Sequence, residues 1–362
     1  MRIFCIALLF AAFLPANAED WDFKSTQGLV VGVLQWQDPS LSPFSDHLRK
    51  DRELQEVLIR RGVPRNRLRL LLDRAATKAR IEQQLKEAAA GASARSTFFF
   101  YYAGHGLKEG SQAYIANYDI DAQALAQSGV SIQSIARILA EHFKGQRVVF
   151  SGDFCYSGAF EEALQILASR GKQGMLLTSS SASNQSTENW TFSQTWIDCL
   201  SGNPFCDRNA DGKITIAEAN LEIAEAMKAR ERQRHGFRIS GLSNQLVLGN
   251  TSGARPANAG GYVTAPFNGR MQPARIIRRD GSRLLCEFYF YSEKKTAWLE
   301  STRVRALSFR EFAPGSQIQV IWKGKPYPAR VLKQEGGFHW ITYTGYDSSW
   351  DEWVMDDRIR SR

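Results

Sequence analysis

The sequence predicts an α/β fold, a three-layer domain with a mainly parallel sheet, followed by two small β-barrels. In residues 19–250, short apolar runs alternate with stretches of helical periodicity, as in a parallel sheet whose faces are covered by helices. In residues 262–362, a pattern of short alternating strands and glycine turns occurs twice. A chain of 362 residues is long enough for two or three such domains.

The apolar runs give the positions of the predicted strands, and amphipathic spacing gives those of the helices. Strands are predicted at 29–34, 68–72, 97–102, 147–155, 175–178 and 245–248. Helices are predicted at 43–61, 76–90, 131–143, from about 158 onward, and at 216–232. This alternation favours a mainly parallel sheet over an antiparallel one.

Two of the predicted strands end in reactive side chains. The run Ser96-Thr-Phe-Phe-Phe-Tyr-Tyr-Ala-Gly leads to His105, and the run from Arg147 leads to Cys155, 50 residues later. Because functional groups collect at the carboxyl ends of parallel strands, we expect the two side chains to meet there. A thiol beside an imidazole is a nucleophile with its base. A helix starting just after Cys155, together with a nearby cationic histidine, would lower the pKa of the thiol.

The Gly-His-Gly of 104–106 and the Asp-Phe-Cys-Tyr-Ser-Gly of 153–158 resemble the motifs of the caspase-like cysteine peptidases. The similarity is greatest to bacterial metacaspase-type members and covers roughly residues 25–250. It implies the caspase-hemoglobinase fold, a catalytic pair of His105 and Cys155, and an oxyanion hole made by the backbone N–H groups of Gly106 and Cys155. It also implies that Asp153 lines a substrate pocket for arginine or lysine.

The residues alone leave two plainer interpretations open. Cys155 could be a buried structural cysteine and His105 a loop histidine with ordinary hydrogen bonds. Asp153 could cap the following helix instead of lining a pocket.

Residues 1–18 have the pattern of a cleaved signal peptide, namely Arg2, an apolar stretch over 3–14, and Ala-Asn-Ala at 16–18. No other stretch is long enough to predict a membrane span. A secreted or periplasmic protein is therefore expected. In such an oxidising compartment Cys199 and Cys206 are the candidates for a disulfide, whereas Cys286 lies in an apolar strand pattern and is expected to be a buried thiol.

Residues 207–218 fit the twelve-residue calcium loop of an EF-hand, with Gly212 at its sixth position. Chemistry at Cys155 needs no cofactor, so calcium is the one candidate cofactor. An Asn/Asp-Gly turn without a metal is the alternative. The predicted ligands are Asp207, Asn209, Asp211, Lys213, Thr215 and Glu218.

Beyond a polar linker at 251–261, the sequence repeats itself with an offset of 55 residues, which predicts duplicated barrels at 262–310 and 314–362. The second copy resembles the Tudor-knot or chromo-barrel group of SH3-like barrels. That resemblance implies an aromatic cage for a basic or modified side chain, with Asp347 and Asp351 as nearby acids. The first copy lacks counterparts of two of these rings, Tyr327 and Trp350. The candidate ligand-binding residues are Trp322, Tyr327, Tyr343, Tyr346, Trp350 and Trp353.

The net charge of +9 is concentrated in the repeats, since residues 252–362 hold 18 basic and 11 acidic side chains, a difference of +7. Such a basic region suggests an acidic cell-envelope polymer as a partner, although a solvated basic face is the simpler explanation. For an exported protein we do not expect nucleic acid as the partner.

The leading interpretation is a secreted caspase-like cysteine endopeptidase that cleaves protein or peptide substrates after arginine or lysine. The alternative is a binding protein that acts through its tandem Tudor-like barrels and uses the first domain only as a scaffold. A third interpretation keeps the thiol chemistry but transfers the acyl group to an amine.

Overall fold

The computed structural model describes residues 19–47, 49–187, 189–256, 259–290 and 293–360. The predicted signal peptide at 1–18 lies outside these residues, as do two residues of the predicted linker. Within the described part of the chain, no helix has the length and apolar character needed to cross a membrane.

The first 250 residues alternate between strands and helices. The strands are β1 (Thr26–Gly32), β2 (Leu68–Leu72), β3 (Thr97–Ala103), β4 (Gly106–Glu109), β5 (Gln112–Ile115), β6 (Val130–Ser131), β7 (Arg147–Asp153), β8 (Gln173–Thr178), β9 (Lys213–Thr215), β10 (Gly236–Ser240) and β11 (Val247–Asn250). The helices are α1 (Lys50–Arg60), α2 (Lys78–Ala90), α3 (Leu125–Ser128), α4 (Ile132–His142), α5 (Phe160–Ala168), α6 (Thr191–Leu200) and α7 (Ile216–Ala226).

The described residues form a central sheet with the strand order β10-β8-β7-β3-β1-β2. All neighbouring strands in it run parallel except β10, which is antiparallel to β8. Strands β1 and β3 are buried along their whole length because helices pack on both faces. Helices α1, α6 and α7 cover one face, and α2, α4 and α5 cover the other. The predicted three-layer domain with a mainly parallel sheet is confirmed.

Two predicted elements differ from the structure. The segment 245–248 is not the last strand of the central sheet, because β11 pairs with β9 in a separate two-stranded sheet. The edge of the central sheet is β10, whose alternation of polar and apolar residues is too short to stand out in the sequence. The helix predicted from residue 43 begins at Lys50, and residues 42–47 lack regular secondary structure. Ser42 and Phe44 in this segment contact His105 instead.

The repeat is confirmed at the level of strand pairing. The strands are β12 (Tyr262–Phe267), β13 (Arg270–Asp280), β14 (Arg283–Phe290), β15 (Glu293–Glu300), β16 (Arg305–Ala306), β17 (Gln317–Trp322), β18 (Lys325–Glu335), β19 (Phe338–Tyr343), β20 (Glu352–Val354) and β21 (Ile359–Arg360). They form two antiparallel sheets of described residues, in the orders β15-β14-β13-β12-β16 and β20-β19-β18-β17-β21.

The two sheets share one register. Ala274 pairs with Phe288 in the first, and Ala329 pairs with Tyr343, 55 positions later, in the second. A bulge follows at Ile276/Arg278 and at Val331/Lys333, again 55 positions apart. Such agreement indicates a duplicated unit. Its assignment to the SH3-like barrels stays a prediction.

The cysteines follow the sequence-based expectations. Cys199 and Cys206 form a disulfide that ties the end of α6 to the turn after it. Cys286 is a free thiol, fully buried in β14. Cys155 is the other free cysteine of the described residues, and its side chain is half-buried.

The first repeat is joined to α7 by a buried ion pair. The guanidinium of Arg275 donates two hydrogen bonds to the carboxylate of Glu222, one of them 3.0 Å long, and the two side chains are 7% and 2% exposed. Arg208 also contacts this carboxylate, at 3.2 Å. Breaking a buried pair leaves a charge without its counter-charge in a poorly solvated place, which is costly.

We therefore expect Arg275→Met to destabilise the protein by about 3 kcal/mol, because Glu222 then stays buried with only the Arg208 contact and a 3.3 Å hydrogen bond from the hydroxyl of Tyr262. Urea unfolding of the full chain measures this. The matched control is Arg283→Met in the same repeat, whose ion pair with Asp280 is exposed to solvent and should change stability by less than about 0.5 kcal/mol. Equal effects of the two substitutions would show that the buried pair does not join the units.

Candidate active site

The two reactive loops leave neighbouring strands at the same edge of the central sheet. Strand β3 pairs with β7 in parallel, with Ala103 opposite Asp153. His105 and Cys155 each follow two residues beyond this pair. Both residues therefore lie at the carboxyl edge of the sheet, as expected, and the meeting of their two side chains there stays a prediction.

The loops touch at their backbones. A Cβ atom added to Gly106 would lie 1.9 Å from the carbonyl oxygen of Cys155, a distance that no side chain could occupy. Only glycine permits this approach. The contact places the histidine loop directly against the cysteine.

The imidazole of His105 is held by aromatic rings and by a carbonyl group. Its ring centroid lies 4.4 Å from that of Trp36 and 4.5 Å from that of Phe44. Its Nε2 is 2.8 Å from the carbonyl oxygen of Ser42. When Nε2 donates this hydrogen bond, Nδ1 is the nitrogen that can accept a proton.

The sulfur of Cys155 is surrounded by backbone donors. The N–H of Ser186 donates to Sγ over 3.3 Å, and the N–H groups of Gly106 and Cys155 also hydrogen-bond to the thiolate. These bonds lower the pKa of the thiol, but burial raises it more, and the nearby Asp153 carboxylate adds to the rise.

The expectation of a lowered pKa for the Cys155 thiol is therefore wrong. Helix α5 begins only at Phe160, after a 3₁₀ turn at Ser157–Ala159, so its N-terminus is five residues away from the cysteine. The dipole of a helix acts over its first turn only. Burial of the sulfur, which depends on tertiary packing, decides the direction of the shift.

A serine-rich segment after β8, residues 179–186, supports the cysteine loop. The hydroxyl of Ser180 donates to the carbonyl of Phe154 over 3.0 Å, and it accepts from the N–H of Ser157 over 3.0 Å. The N–H of Tyr156 donates to the carbonyl of Asn184 over 2.8 Å. These bonds pair the carbonyl of Phe154 and the N–H groups of Tyr156 and Ser157, as a buried loop requires.

Asp153 lies beneath the cysteine and not beside it. Strand β7 ends at Asp153, so the extended geometry that would align its side chain with that of Cys155 does not continue. The carboxylate is 3% exposed and accepts hydrogen bonds from the hydroxyl and the N–H of Ser193, at 2.7 and 3.2 Å. The hydroxyl of Ser186 is a longer donor, at 3.4 Å. Asp153 does not cap the following helix, which has no side-chain cap.

Burial raises the pKa of Asp153 from 3.8 to about 6, against the lowering effect of the Ser193 and Ser179 hydrogen bonds. Glu231 also acts in the raising direction. No lysine or arginine pairs with this carboxylate in the part of the chain that the structure describes. Asp153 is thus a buried acid held only by neutral donors.

The predicted calcium loop has an internally hydrogen-bonded geometry. One carboxylate oxygen of Asp207 accepts from the N–H of Gly212 over 2.9 Å. Glu218 accepts from the N–H and the hydroxyl of Thr215, at 2.9 and 2.8 Å, in the capping box of α7. Among the described residues, no three His, Cys, Asp or Glu side chains are grouped closely enough to hold a metal ion. Calcium binding at 207–218 stays a prediction.

Five of the six aromatic candidates in the second repeat meet in one pocket, and Trp353 is separate. Tyr346 lies between Tyr327 and Trp350, with ring centroids 6.1 and 5.6 Å away. Trp353 instead packs against Trp340, with centroids 5.6 Å apart. The rings lining the pocket are those of Trp322, Tyr327, Tyr343, Tyr346 and Trp350.

Several groups at the site could not be recognised in the sequence. The carbonyl of Ser42 has no side-chain signature, and Trp36 and Phe44 are far from the motifs along the chain. Ser193 lies within α6, where nothing in its neighbourhood marks a polar role. The run of serines at 179–186 was a signal that could have been used, because hydroxyl groups are the usual partners of buried loop backbone.

Comparison with known proteins identifies a family for this part of the chain. The caspase domain family model matches residues 49–238. No curated protein matches the chain.

Similar solved structures include a protein of Geobacter sulfurreducens, with 13% identity and a TM-score of 0.45, covering 63% of this chain and 98% of that one. Caspase-1 from Spodoptera frugiperda has 12% identity and a TM-score of 0.43, with 66% and 96% covered. The Drosophila initiator caspase Dronc has 10% identity and a TM-score of 0.39, with 67% and 89% covered.

The raised pKa of Asp153 predicts how stability changes with pH. Between pH 3.8 and about 6 the folded protein binds this proton and the unfolded chain releases it, so the contribution of Asp153 to stability falls as pH rises and is lowest above pH 6. We expect Asp153→Asn to stabilise the protein at pH 7 by on the order of 3 kcal/mol. The gain should shrink toward zero near pH 4, and urea unfolding of both proteins from pH 4 to 8 measures it.

The difference between the two proteins isolates this one carboxyl group, because all other titrating groups contribute equally to both. A stability difference that stays constant across the pH range would contradict the raised pKa. Ser193→Ala is the companion variant. It removes the hydroxyl that donates to the Asp153 carboxylate, so above pH 6 the variant should be less stable than the wild-type protein.

Proposed function

We propose, from the premise that the chain belongs to the caspase domain family, that this protein is a cysteine endopeptidase that cleaves after arginine or lysine. Membership in the family implies cysteine-type peptidase activity on protein or peptide substrates. The residues of the reaction and the preference for basic residues are our inference from the geometry at Cys155.

The contact between Gly106 and Cys155 is the observation that carries this proposal. It puts the residue after His105 against the cysteine backbone and directs two N–H groups, those of Gly106 and Cys155, toward the sulfur. These donors can hold the oxygen of a carbonyl group that the sulfur attacks. Aimed donors of this kind can lower a barrier by about 3 kcal/mol.

In the proposed reaction the sulfur of Cys155 bonds to the carbonyl carbon of the substrate, and its proton passes to Nδ1 of His105. The negative charge on the carbonyl oxygen is stabilised by the N–H groups of Gly106 and Cys155. His105 then gives the proton to the nitrogen of the leaving amine, the C–N bond breaks, and a thioester remains on Cys155. A water molecule, deprotonated by His105, hydrolyses the thioester and restores the thiol.

The raised pKa of the Cys155 thiol has a consequence for the first step. A thiol that is still protonated at neutral pH must lose its proton as it attacks, so a base has to be in place. The carbonyl of Ser42 supports His105 in this role, because it fixes the tautomer and stabilises the cation that forms.

The preference for basic residues is inferred from the buried charge of Asp153. A carboxylate surrounded by neutral donors is costly to keep ionised, and a cation brought by the substrate would relieve that cost. This pairing would give a large difference in affinity between a basic side chain and an acidic one. It would also give the protein a reason to retain a destabilising group.

We further propose that the protein works outside the cytoplasm. The signal-peptide pattern of residues 1–18 supports export, and the Cys199–Cys206 disulfide suits an oxidising compartment. The two repeats would be SH3-like units that position the enzyme or its substrate. The alternative of a binding protein predicts that Cys155 can be replaced without loss of function.

Peptide amides that differ only in having Arg, Lys or Asp before the scissile bond test the proposal on residues 19–362. We expect cleavage after Arg and Lys. Cys155→Ala should lower kcat/KM at least about 1,000-fold, and Cys286→Ala, which removes the other free thiol, should leave it unchanged. Asp153→Asn should lower kcat/KM for Arg and Lys peptides while the weak rate on a neutral peptide persists.

Absence of Cys155-dependent cleavage, with or without added calcium, would sink the peptidase assignment. Equal rates of cleavage after Arg, Lys and Asp would contradict only the proposed role of Asp153. Mass spectrometry of the products in the presence of an added amine separates hydrolysis from transfer to that amine.

A further inference from the structure

A pocket of about 360 Å³ lies between the candidate active site and the second repeat. Its volume is within the range of about 300–1,000 Å³ that is usual for ligand sites. The second repeat contributes the cluster of five aromatic rings described above, together with Ser349 and Glu352. The first domain contributes Lys108, Gly110, Tyr156 and Ser183. Tyr156 directly follows Cys155 in the chain, and Lys108 lies two residues after Gly106.

The second repeat is fixed against the cysteine loop by one buried side chain. The side-chain amide of Asn184 donates to the carbonyl of Trp353 over 2.7 Å and accepts from its N–H over 3.2 Å. The backbone carbonyl of the same Asn184 accepts from the N–H of Tyr156 over 2.8 Å. Because Asn184 is only 8% exposed, these bonds are shielded from water. Asn184 thus ties the second repeat to Tyr156, the residue that follows Cys155 and lines the pocket.

The pocket and Asp153 lie on opposite sides of the cysteine. The carboxylate of Asp153 is turned toward Ser193 in α6, which covers one face of the central sheet. Tyr156 leads into α5, which covers the other face. Two residues that line the pocket, Lys108 and Gly110, belong to the hairpin that directly follows His105. Because His105 is the proposed donor of a proton to the leaving amine, the residues after the scissile bond would run toward this side and reach the pocket.

The charges around the pocket do not suit a cation. Glu352 is the only carboxylate among the described lining residues, and both of its oxygens accept from Arg358, at 2.6 and 2.8 Å. The hydroxyl of Tyr343 donates to it as well, over 2.7 Å. Lys108 adds a positive charge at the rim. Lys108 also lies over the ring of Tyr156. Lys323 and Arg358 lie over the ring of Trp322. A basic side chain entering the pocket would meet these positive charges at the rings that attract cations.

The exposed faces of the pocket are apolar rings. Tyr346 and Trp350 are 46% and 49% exposed, which is unusual for side chains of this size in a folded protein. Rings of this kind bind aromatic side chains by edge and face contacts. Their opening lies next to Tyr156, so the occupant must be a group that comes close to the cysteine.

We propose that this pocket is a substrate subsite that binds a large aromatic side chain in the part of the peptide after the scissile bond. The inference rests on the proposed peptidase function and adds a second specificity element to it. In this view the second repeat completes the substrate-binding cleft and is not a separate targeting module.

Two kinds of substrate separate this subsite from the catalytic reaction. A short arginine peptide methyl ester has no residue after the scissile bond and reports only on catalysis. A set of longer peptides carries a single Phe, Ala or Lys at the first, second or third position after the same arginine. We expect the wild-type protein to prefer Phe over Ala about tenfold at one of these positions.

Trp350→Ala and Tyr346→Ala should remove this preference and leave hydrolysis of the ester unchanged, since neither ring belongs to the catalytic group. Both side chains are half exposed, so the variants are expected to fold. The control is Trp298→Ala, which removes an exposed tryptophan of the first repeat, 40% exposed and outside the lining of the pocket, and should keep the preference.

Binding is also measured without turnover. The Cys155→Ala protein is titrated with the same peptides carrying a fluorescent label, and anisotropy gives Kd for Phe against Ala. If the Cys155→Ala protein prefers Phe and the Cys155→Ala/Trp350→Ala protein does not, the subsite is supported. This holds even if the wild-type protein fails to hydrolyse the ester, a result that would overturn only the proposed peptidase function. No Phe preference in either assay, a preference for Lys, or loss of ester hydrolysis in Trp350→Ala would overturn the subsite.

Discussion

The contact between the backbones of Gly106 and Cys155 is the constraint on which the rest of the site depends. It is possible only because parallel strands β3 and β7 end side by side and because residue 106 has no side chain. From it follow the convergence of two N–H groups on the sulfur and the placement of the histidine loop beside the nucleophile. A side chain at position 106 would force the two loops apart and would dismantle the site without touching either reactive residue.

Two ionisable groups near this contact are buried at a cost in free energy. The sulfur of Cys155 and the carboxylate of Asp153 are both held where their charged forms are disfavoured, and burial raises the pKa of each. The backbone donors and the hydroxyl of Ser193 reduce this cost without removing it. Under the proposed function, a substrate with a basic side chain would supply the missing positive charge.

Much of the fold could be predicted because local patterns of residues in the sequence indicate it. The strand Leu68–Leu72 and the end of helix α2 at Ala90 match the sequence-based bounds, and the duplication is visible as an offset of 55. Strand β10 was missed because its short alternation on a sheet edge resembles a loop. At the site, His105 and Cys155 stood out as motifs, whereas Ser42 acts through its carbonyl and Ser193 through a contact 40 residues away in the chain. The direction of the thiol pKa shift depends on packing that no local pattern contains.

The most direct test of the account is covalent labelling with a peptidyl-arginine acyloxymethyl ketone, read by intact mass and peptide mapping. The geometry predicts a single thioether adduct on Cys155, absent from His105→Ala, and formed at least about tenfold faster than with the matching aspartyl ketone. Labelling on Cys286, labelling that does not require His105, or no adduct at all would contradict the claim that sulfur and imidazole act together at this edge of the sheet.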